Sequence, residues 1–373
     1  MLEVLFWLSA GLILYTHLGY PFVLWVLTAL ARSRRGPAPG GEPPSVSLIV
    51  AAHNEEAVIE RRVENALALD YPRERLEVIV ASDGSDDRTV EAAERAGADL
   101  VLDLGRGGKV RAQNAAVERA RGEILAFSDA NSFWAPSALR RLVRRFDDPD
   151  VGYVCGQVRF VGGDGSNQEG AYWRFELAVR ALESRLGGIT AGNGAIYATR
   201  SDAYLRLDPR VSHDLSFPFN LVKRGWRPVY EPSARADEKM VPSVEGEFRR
   251  KRRMFEHAWP IVLRGGMLSP RGYGPLYAFQ IASHRLLRYA TPLLHLIALG
   301  TNVALLGEGV TYTVTLALQG ALLAGALLAP LVPLRPLRIA RYYVLMTASI
   351  AAGLWDHLRT GTPAEWERAE GTR

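Results

Sequence analysis

Two long apolar stretches enclose a charged middle part of the chain. Residues 4–31 contain no Asp, Glu, Lys or Arg, and residues 289–334 contain only Glu308. The first stretch is longer than the ~20 residues that a helix needs to cross a hydrocarbon core. A cleaved signal peptide would instead start with basic residues and have a shorter apolar run, whereas Glu3 lies at this start. The pattern therefore predicts a transmembrane anchor over residues 1–31.

Basic residues follow the predicted anchor at once and indicate its orientation. Arg32, Arg34 and Arg35 come directly after the apolar run, and such residues favour the cytoplasmic side. We therefore expect the N-terminus outside and the chain from residue 36 onward in the cytoplasm. Residues 32–44, basic and then rich in Pro and Gly, are predicted to be a linker.

The second apolar region, residues 285–357, predicts two or three transmembrane helices. Residues 289–307 and 309–334 form a hairpin around Glu308, and the basic residues after it return the chain to the cytoplasm. Residues 342–355 fit an interfacial or re-entrant helix as well as a span, because they number only 14. Residues 358–373 are a charged tail.

The middle part, residues 45–284, alternates strand-like and helix-like runs. The strands are predicted at 45–51, 76–81, 101–103 and 123–128, and they are continuous apolar runs, as in sheets that are covered on both faces. We expect a helix to open at His53–Glu56 with Asn54 as its cap. Strands that alternate with helices in this way predict a doubly wound α/β domain of Rossmann type.

Polar side chains follow three of the predicted strands. They are Asn54 and Glu55, Asp83 and Ser85, and Asp129 and Asn131. In a doubly wound sheet these positions meet in one crevice, where ligands bind. Helix capping is the alternative explanation, and we prefer it for Asp86 and Asp87.

The crevice lacks the glycine fingerprints of dinucleotide enzymes and phosphate-loop hydrolases. A phosphate beside carboxylates needs a bridging cation, and Asp129 and Asn131 could both direct an oxygen at one Mg or Mn ion. Lys109 and backbone N–H groups could meet the phosphate charge.

The composition narrows the choice further. Cys155 is the only cysteine, which excludes an internal disulfide and a CxxC metal or redox site. The net charge is +5, but the 41 Arg and 4 Lys residues are spread along the whole chain, so an Arg near a candidate site is weak evidence. We expect no nucleic-acid partner.

Several segments, taken together, resemble one enzyme family. They are Ala51–Glu56, Val80–Ser85, Gly108–Lys109, Asn114 and Phe127–Asn131, followed more weakly by Leu182–Ser184, Gly192–Tyr197, Ser212–Asp214 and Arg249–Arg253. The set is similar to the membrane-bound family 2 glycosyltransferases with a GT-A fold, which include hyaluronan, cellulose and poly-N-acetylglucosamine synthases. The resemblance implies a Rossmann-like GT-A domain flanked by transmembrane helices.

The resemblance also implies roles for individual residues. The nucleotide-sugar donor would contact Glu55, Asp83, Lys109 and Asp129; the divalent cation would contact Asp129 and Asn131; the acceptor would lie near Gly192, Asn193, Gly194 and Arg252; and Asp214 would be the general base. Asn131 stands where the family usually has Asp, so weaker metal binding is expected. The family signature QxxRW is poorly kept around Arg252, which speaks against processive polymerisation. A basic helix at the membrane surface is the alternative for this cluster.

These inferences combine into one expected function. The chain would transfer a sugar with inversion from a nucleotide sugar, expected to be a UDP-sugar, to a saccharide or lipid-linked acceptor at the cytoplasmic face of the inner membrane, in polysaccharide or cell-envelope glycan synthesis. A single-step enzyme acting on a polyprenyl phosphate or glycolipid is the alternative. A membrane scaffold that binds nucleotide sugar without turnover is a further alternative, from another class.

Overall fold

The computed structural model describes residues 1–31, 41–161, 168–239, 241, 243–332 and 334–364. Most of the predicted linker and most of the predicted charged tail lie outside these ranges. Within them, eight strands form one mixed sheet, and thirteen α-helices cover it or extend from it.

The sheet has a parallel half and a mixed half. Its strands are β1 (Val46–Ala52), β2 (Leu76–Asp83), β3 (Leu100–Leu104), β4 (Ile124–Asp129), β5 (Phe133–Trp134), β6 (Val151–Val161), β7 (Ile196–Arg200) and β8 (Arg227–Lys239). They are arranged in the order β3-β2-β1-β4-β7-β6-β8-β5. The first four strands run parallel, whereas β7 is antiparallel to both β4 and β6. The order 3-2-1-4 is that of one Rossmann half, so the predicted α/β class is confirmed.

Helices cover both faces of the parallel half. They are α3 (Ile59–Leu67), α4 (Thr89–Arg95), α5 (Lys109–Val117) and α6 (Ala138–Val143). On β1, Val50 packs in the cluster that contains α3 and α4, while the adjacent Ile49 packs with α5. Successive side chains of a strand point to opposite faces, so a strand that is buried on both faces is apolar without interruption. This explains why the continuous runs in the sequence correctly located the strands.

One local prediction is wrong. Helix α3 begins at Ile59, so His53–Glu56 form a turn before it, and Asn54 does not cap it. Instead, Asn54 has a left-handed backbone with φ 54°, and its side-chain oxygen accepts a hydrogen bond of 2.9 Å from the backbone N–H of Asp86. Asparagine tolerates this conformation better than most residues do. Its side chain therefore joins the turns after β1 and β2.

The remaining helices lie beside the mixed half or outside the sheet. They are α7 (Gln168–Leu186), α8 (His213–Lys223), α9 (Val244–Leu263), α10 (Pro275–Gln280), α11 (Leu287–Ala304), α12 (Val310–Leu328) and α13 (Arg335–Thr360). The N-terminal helix consists of α1 (Leu2–Leu14) and α2 (Tyr20–Leu30), joined by a π-helical turn.

Two helices in the described part of the chain are long and apolar enough to cross a membrane. They are Leu2–Leu30 and Val310–Leu328, each with a mean hydropathy of 1.5 over its most apolar window. The first arm of the predicted hairpin, α11, is less apolar because it includes Arg288, His295 and Asn302. These two helices match the predicted anchor and the second arm of the predicted hairpin in length and composition.

The short apolar segment 342–355 is part of a longer amphipathic helix. Helix α13 has 26 residues, and its buried residues Tyr342, Ser349, Ile350 and Gly353 are spaced to share one face. This face packs against α9, where the indole N–H of Trp259 donates to the Ile350 carbonyl at 3.0 Å. The segment therefore lies along the α/β domain in this structure.

Candidate active site

The polar residues predicted for the crevice lie together at the carboxyl ends of β1, β2 and β4. The turns after β1 and β2 are tied by two hydrogen bonds, from Asn54 N to Ser85 Oγ (3.1 Å) and from Asp86 N to Asn54 Oδ1 (2.9 Å). Glu55 is buried at the start of the same turn, and its backbone N–H donates to Thr89 Oγ1 at 2.7 Å. The sheet edge is thus a connected polar surface.

Asp83 organises the glycine-rich turn that precedes α5. Its carboxylate accepts hydrogen bonds from the N–H groups of Gly107 (2.8 Å) and Gly108 (2.9 Å) and pairs with Arg106 at 2.9 Å. Gly84 is required for this approach, because a Cβ there would lie 2.7 Å from the backbone nitrogen of Arg106. The turn is therefore held by its backbone, and the nucleoside contact implied for Asp83 stays a prediction.

Lys109, Asp129 and Gly194 meet in the centre of the crevice. The Lys109 ammonium forms an ion pair with the Asp129 carboxylate and lies 3.4 Å from the Gly194 carbonyl. A Cβ on Gly194 would stand 3.0 Å from Lys109 Nζ and 4.0 Å from Asp129 Oδ2. The absence of a side chain at 194 thus leaves room beside a carboxylate and a cation that face each other.

A third carboxylate, which the sequence did not reveal, lies near Asp129. Glu238, close to the end of β8, accepts a hydrogen bond from the Ser132 hydroxyl. Burial, and then repulsion from Asp129, raise the pKa of Glu238 to about 7, although Ser132, Arg250 and Lys109 act in the opposite direction. Nothing in the sequence distinguishes Glu238 from its charged neighbours, because only the folded sheet turns it toward the crevice.

A buried arginine contacts the residue that precedes Asp129. Arg62 on α3 is fully buried, and its Nε–H donates to Ser128 Oγ at 3.1 Å, next to Asp129. Burial lowers the pKa of Arg62 to about 9, and the nearby Asp129 opposes this shift. The guanidinium is therefore still charged at neutral pH and places a positive charge near the Asp129 carboxylate.

Asp214 lies on the other side of the crevice, in the first turn of α8. Its Oδ1 accepts from the N–H of Leu215 at 3.0 Å, and its backbone carbonyl accepts from the N–H of Gly192 at 2.7 Å. The side chain is only partly buried. Asp214 is thus tied through the backbone to the segment that also reaches Lys109, and its implied role as general base stays a prediction.

The residues at 192 and 193 are fixed by packing. A Cβ on Gly192 would lie 2.0 Å from the Tyr153 hydroxyl oxygen, so only glycine fits. Asn193 is buried and faces inward: its Nδ2 donates to the Gly156 carbonyl at 2.8 Å, and its Oδ1 accepts from the N–H of Ile196 at 2.9 Å. In this structure the Asn193 side chain holds the turn, and its backbone is the part available to a ligand.

His213, beside Asp214, is a neutral core residue. It lies among aromatic rings, and its Nδ1 is 2.6 Å from the Tyr197 hydroxyl. Burial, together with the nearby Lys109, lowers the pKa of His213 to about 3. Its ring therefore adds no positive charge next to Asp214 at physiological pH.

Arg252 does not join the other predicted site residues. Its guanidinium pairs with both carboxylate oxygens of Asp356 on α13, at 2.5 and 2.6 Å. The neighbouring Arg250 lies closer to the crevice, where its charge acts on Glu238. The structure thus gives Arg252 a contact between helices, and its implied acceptor role stays a prediction.

The comparison with known families agrees with this geometry. A family model described as Glycosyl transferase family 2 matches residues 47–226. This range begins in β1 and ends just before β8, so it includes Asp83, Lys109, Asp129 and Asp214.

Curated relatives of the chain are synthases of glycolipids and polysaccharides. The β-monoglucosyldiacylglycerol synthase of Synechocystis sp. is 33% identical over 164 residues, which are 41% of this chain and 33% of that protein. The poly-β-1,6-N-acetyl-D-glucosamine synthase of Staphylococcus aureus is 24% identical over 235 residues, which are 60% of this chain and 57% of that protein. The chain thus matches between one third and somewhat more than half of the length of these relatives.

A solved structure has the same fold over almost the whole chain. The mannosyltransferase PcManGT from Pyrobaculum calidifontis, solved in complex with GDP-Man and Mn²⁺, superposes with a TM-score of 0.74 and 24% identity. The match covers 96% of this chain and 99% of that one, so it extends to the flanking helices. The chain thus contains a glycosyltransferase family 2 domain over residues 47–226, within a GT-A-like α/β fold.

Proposed function

We propose that this enzyme transfers a sugar, with inversion, from a nucleotide sugar to a lipid-linked or saccharide acceptor at the cytoplasmic face of a membrane. One observation carries the proposal. The segment that contains Gly192 and Gly194 contacts the Lys109–Asp129 pair at one end and the Asp214 backbone at the other. Within one crevice, the leaving diphosphate would thus meet the positive charge of Lys109, and the attacking hydroxyl would meet the carboxylate of Asp214.

The donor side fits a divalent cation. Asp129 offers a carboxylate oxygen and Asn131 an amide oxygen, and Gly194 places no side chain beside Asp129. Among the described residues no three His, Cys, Asp or Glu side chains form a metal cluster, so phosphates and water would complete the shell, as is usual for Mg²⁺. When bound, Mg²⁺ or Mn²⁺ would stabilise the negative charge of the departing diphosphate.

Side chains of the protein would bind the donor and take the proton from the acceptor. Lys109 would turn from Asp129 to the diphosphate, and the Glu55 and Asp83 turns would border the nucleoside. Asp214 would take the proton of the acceptor hydroxyl, which is worth roughly 10²–10⁴-fold in rate. The relative with GDP-mannose and the UDP-sugar expected from the sequence make both nucleotides candidates for the donor.

A glycolipid product is favoured over a long polymer. The sequence around Arg252 lacks the Gln and Trp of QxxRW, and the structure places Arg252 against α13. The relative with 33% identity is named as a glycolipid synthase. Apolar side chains such as Phe22, Trp25 and Leu318 are exposed on the two candidate spans, which fits contact with lipid.

The first test is a donor screen with the full chain in lipid nanodiscs. UDP-glucose, UDP-N-acetylglucosamine and GDP-mannose are each supplied with Mn²⁺, with and without dioleoylglycerol, and released nucleotide is measured. We expect Mn²⁺-dependent release from one donor, stimulated by acceptor. No release from any nucleotide sugar, with protein that is folded, would contradict the proposed function.

Two variants separate the proposed base from the proposed metal ligand. Asp214→Asn should lower turnover by at least about 10² while Mn²⁺-dependent nucleotide binding, measured by calorimetry, is retained. Asp129→Ala should weaken that binding itself. Asp208→Asn is a matched control, because Asp208 is an exposed carboxylate whose side chain pairs with its neighbour Arg210. Wild-type turnover in Asp214→Asn would remove the assignment of the base.

A further inference from the structure

A buried polar cluster joins the N-terminal helix to the α/β domain. We call it the junction cluster; its members are Tyr20, Glu176, Glu183, Thr190, His284, Arg285 and Arg288. Glu183 and Thr190 are completely buried, and Tyr20 is 1% exposed. Charged groups with so little exposure persist only when they are paired and hydrogen-bonded, so the cluster has a defined geometry.

Glu183 on α7 is the centre of the junction cluster. Its carboxylate accepts from the Tyr20 hydroxyl at 2.7 Å and from both the backbone N–H and the hydroxyl of Thr190 at 3.0 Å. Nδ1 of His284 lies 2.7 Å from the same carboxylate. Burial would raise the pKa of Glu183, but the charge and hydrogen bond of His284, together with Arg285 and the Tyr20 hydroxyl, lower this pKa below its usual value. One ionised carboxylate thus joins α2, α7 and the residues before α11.

Thr190 lies near the start of the strip of chain that borders the crevice. We call residues 189–194 the wall segment. Tyr277 donates to the Ile189 carbonyl at 3.0 Å, Arg285 to the Thr190 hydroxyl at 2.9 Å and Arg180 to the Gly192 carbonyl at 3.0 Å. The far end of the wall segment contacts Lys109.

Two points of the wall segment are held by different partners. At Thr190 it is fixed by the junction cluster, and at Gly192 by the Asp214 backbone. Only a few residues separate these points, so a displacement of Thr190 moves the backbone beside Asp214 as well. The hydrogen bond from Tyr20 affects Thr190, because both residues donate to the same Glu183 carboxylate.

We propose that Tyr20, in the N-terminal helix, is a positioning residue for the acceptor side of the crevice and acts through Glu183 on the wall segment. This inference rests on the proposed function for the meaning of the crevice. It assigns the predicted anchor a second task besides attachment. Losing the Tyr20 hydroxyl should loosen the wall segment and impair acceptor use, while the turn at Gly107 and Gly108 keeps its bonds to Asp83.

The chain offers a closely matched control. Tyr15 lies five residues before Tyr20. Its hydroxyl is 2.9 Å from Ser283 Oγ, so it also ties the N-terminal helix to the rest of the chain, but not through Glu183. Tyr20→Phe and Tyr15→Phe each remove one hydroxyl that ties the N-terminal helix to the rest of the chain, the first to Glu183 on α7 and the second to Ser283 before α11. Only the first removes a bond to the group that holds Thr190.

The test is hydrogen exchange of the full chain in phosphatidylglycerol nanodiscs. In Tyr20→Phe we expect the amides of residues 190–194 to exchange at least about tenfold faster, the factor for losing a hydrogen bond to a charged acceptor. The amides of Gly107 and Gly108 should be unchanged, and Tyr15→Phe should match wild type at both places. Unchanged exchange at 190–194 in Tyr20→Phe, or an equal effect in Tyr15→Phe, would overturn the proposal.

A second pair of variants tests the other half of the link. Thr190→Val removes the hydroxyl that donates to Glu183, whereas Thr190→Ser keeps it. We expect faster exchange in the former and wild-type exchange in the latter; equal behaviour of the two would also contradict the proposal. These measurements need no turnover, so an inactive chain would sink the proposed function and leave this test standing.

An activity measurement completes the design. With the donor found in the screen, Tyr20→Phe should lower transfer to dioleoylglycerol about tenfold and leave the hydrolysis of donor without acceptor within twofold. Equal losses in both reactions would show a general structural defect and would overturn the positioning role.

Discussion

At the scale of single residues, Gly192 and Tyr153 form a tight pair behind the crevice. Tyr153 is completely buried, and within the described part of the chain its hydroxyl has no hydrogen-bond partner. The same hydroxyl occupies the place that a Cβ on Gly192 would need. The glycine is thus explained by its packing, and the backbone of the wall segment follows from it.

This pair leads to a prediction with an internal rescue. Gly192→Ala should destabilise the fold by about 1–3 kcal/mol, the usual cost of overpacking. Tyr153→Phe alone should be neutral or stabilising, because it removes an unsatisfied buried group. In the double variant the nearest ring atom would be Cζ, 3.0 Å from the new Cβ, so much of the loss should be recovered. A double-mutant cycle by thermal unfolding measures the coupling, and strictly additive effects would contradict it.

His213 predicts a pH dependence of stability. Its pKa of about 3 lies well below the ordinary value of 6.5, so between these values the unfolded chain binds a proton that the folded chain does not. Stability should therefore fall as the pH falls through 6.5, by up to about 1.4 kcal/mol per pH unit.

The variant His213→Gln has no titratable side chain at this position, so it lacks this pH dependence. Between pH 6.5 and pH 5, the free energy of unfolding of wild type should therefore fall by about 2 kcal/mol more than that of the variant. Denaturant unfolding at both pH values measures the difference, and His357→Gln, in a partly exposed position, is the control. Parallel pH profiles of wild type and His213→Gln would show that the buried ring is protonated after all.

Some residues of the crevice could be located from the sequence, and others could not. Asp83 and Asp129 were located correctly because they end strands, and parallel strands end at one edge. Arg62 and Glu238 were missed because each is one of many charged residues in its stretch. Which of them turns inward is decided by packing across the sheet, which no spacing in the sequence encodes.

At the scale of elements, α13 is held against α9 by a close backbone approach. A Cβ on Gly353 would lie 2.7 Å from Phe255 Cβ and 2.8 Å from the Arg252 carbonyl. The Arg252–Asp356 ion pair joins the same helices, but the Arg252 side chain is 46% exposed. Exposed ion pairs contribute about 0–1 kcal/mol, so the glycine should matter more than the charges.

The two contributions predict effects of very different size. Gly353→Ala should release α13 from α9, although the same change in an exposed helix would add roughly 1 kcal/mol of stability. Asp356→Asn should leave the helix docked. Limited proteolysis of α13 in nanodiscs measures the release; equal protection in Gly353→Ala and wild type would mean that the helices can separate slightly at no cost.

The same helix shows a limit of prediction from apolar runs. The sequence indicated 14 apolar residues at 342–355 and left open whether they span the membrane, whereas α13 extends over Arg335–Thr360. Its ends are polar, and its buried face is set by α9, which is distant in the sequence. Strands that are buried on both faces were easier to recognise, because every residue in them is apolar.

At the scale of the whole molecule, the helices outside the sheet define two ends. Phe6, near the start of the N-terminal helix, packs with Leu305 and Tyr312, which stand on either side of Glu308 in the sequence. Tyr20 meets Glu183 at the other end. Beyond α13, the Thr362 hydroxyl donates to the Glu256 carbonyl on α9 at 3.0 Å, so the chain returns to the domain.

This arrangement predicts on which side of the membrane each residue can be labelled. In a Cys155→Ala background, a cysteine at position 308 should react with a membrane-impermeant maleimide in intact cells. A cysteine at position 364 should react only after the cells are opened, because residue 362 is bonded to the domain. Labelling of position 364 in intact cells would place α13 across the membrane.

The ionised Glu183 has a consequence for anyone who wishes to work with a water-soluble fragment. A version that starts at Val46 would lose the phenol that covers this carboxylate and would open its surroundings to solvent. Rehydration of a charge that was sealed from water would weaken the hydrogen bonds that Thr190 donates to Glu183. We therefore expect such a fragment to retain nucleotide binding but to use the acceptor poorly. The N-terminal helix should therefore be kept in every preparation used for kinetics.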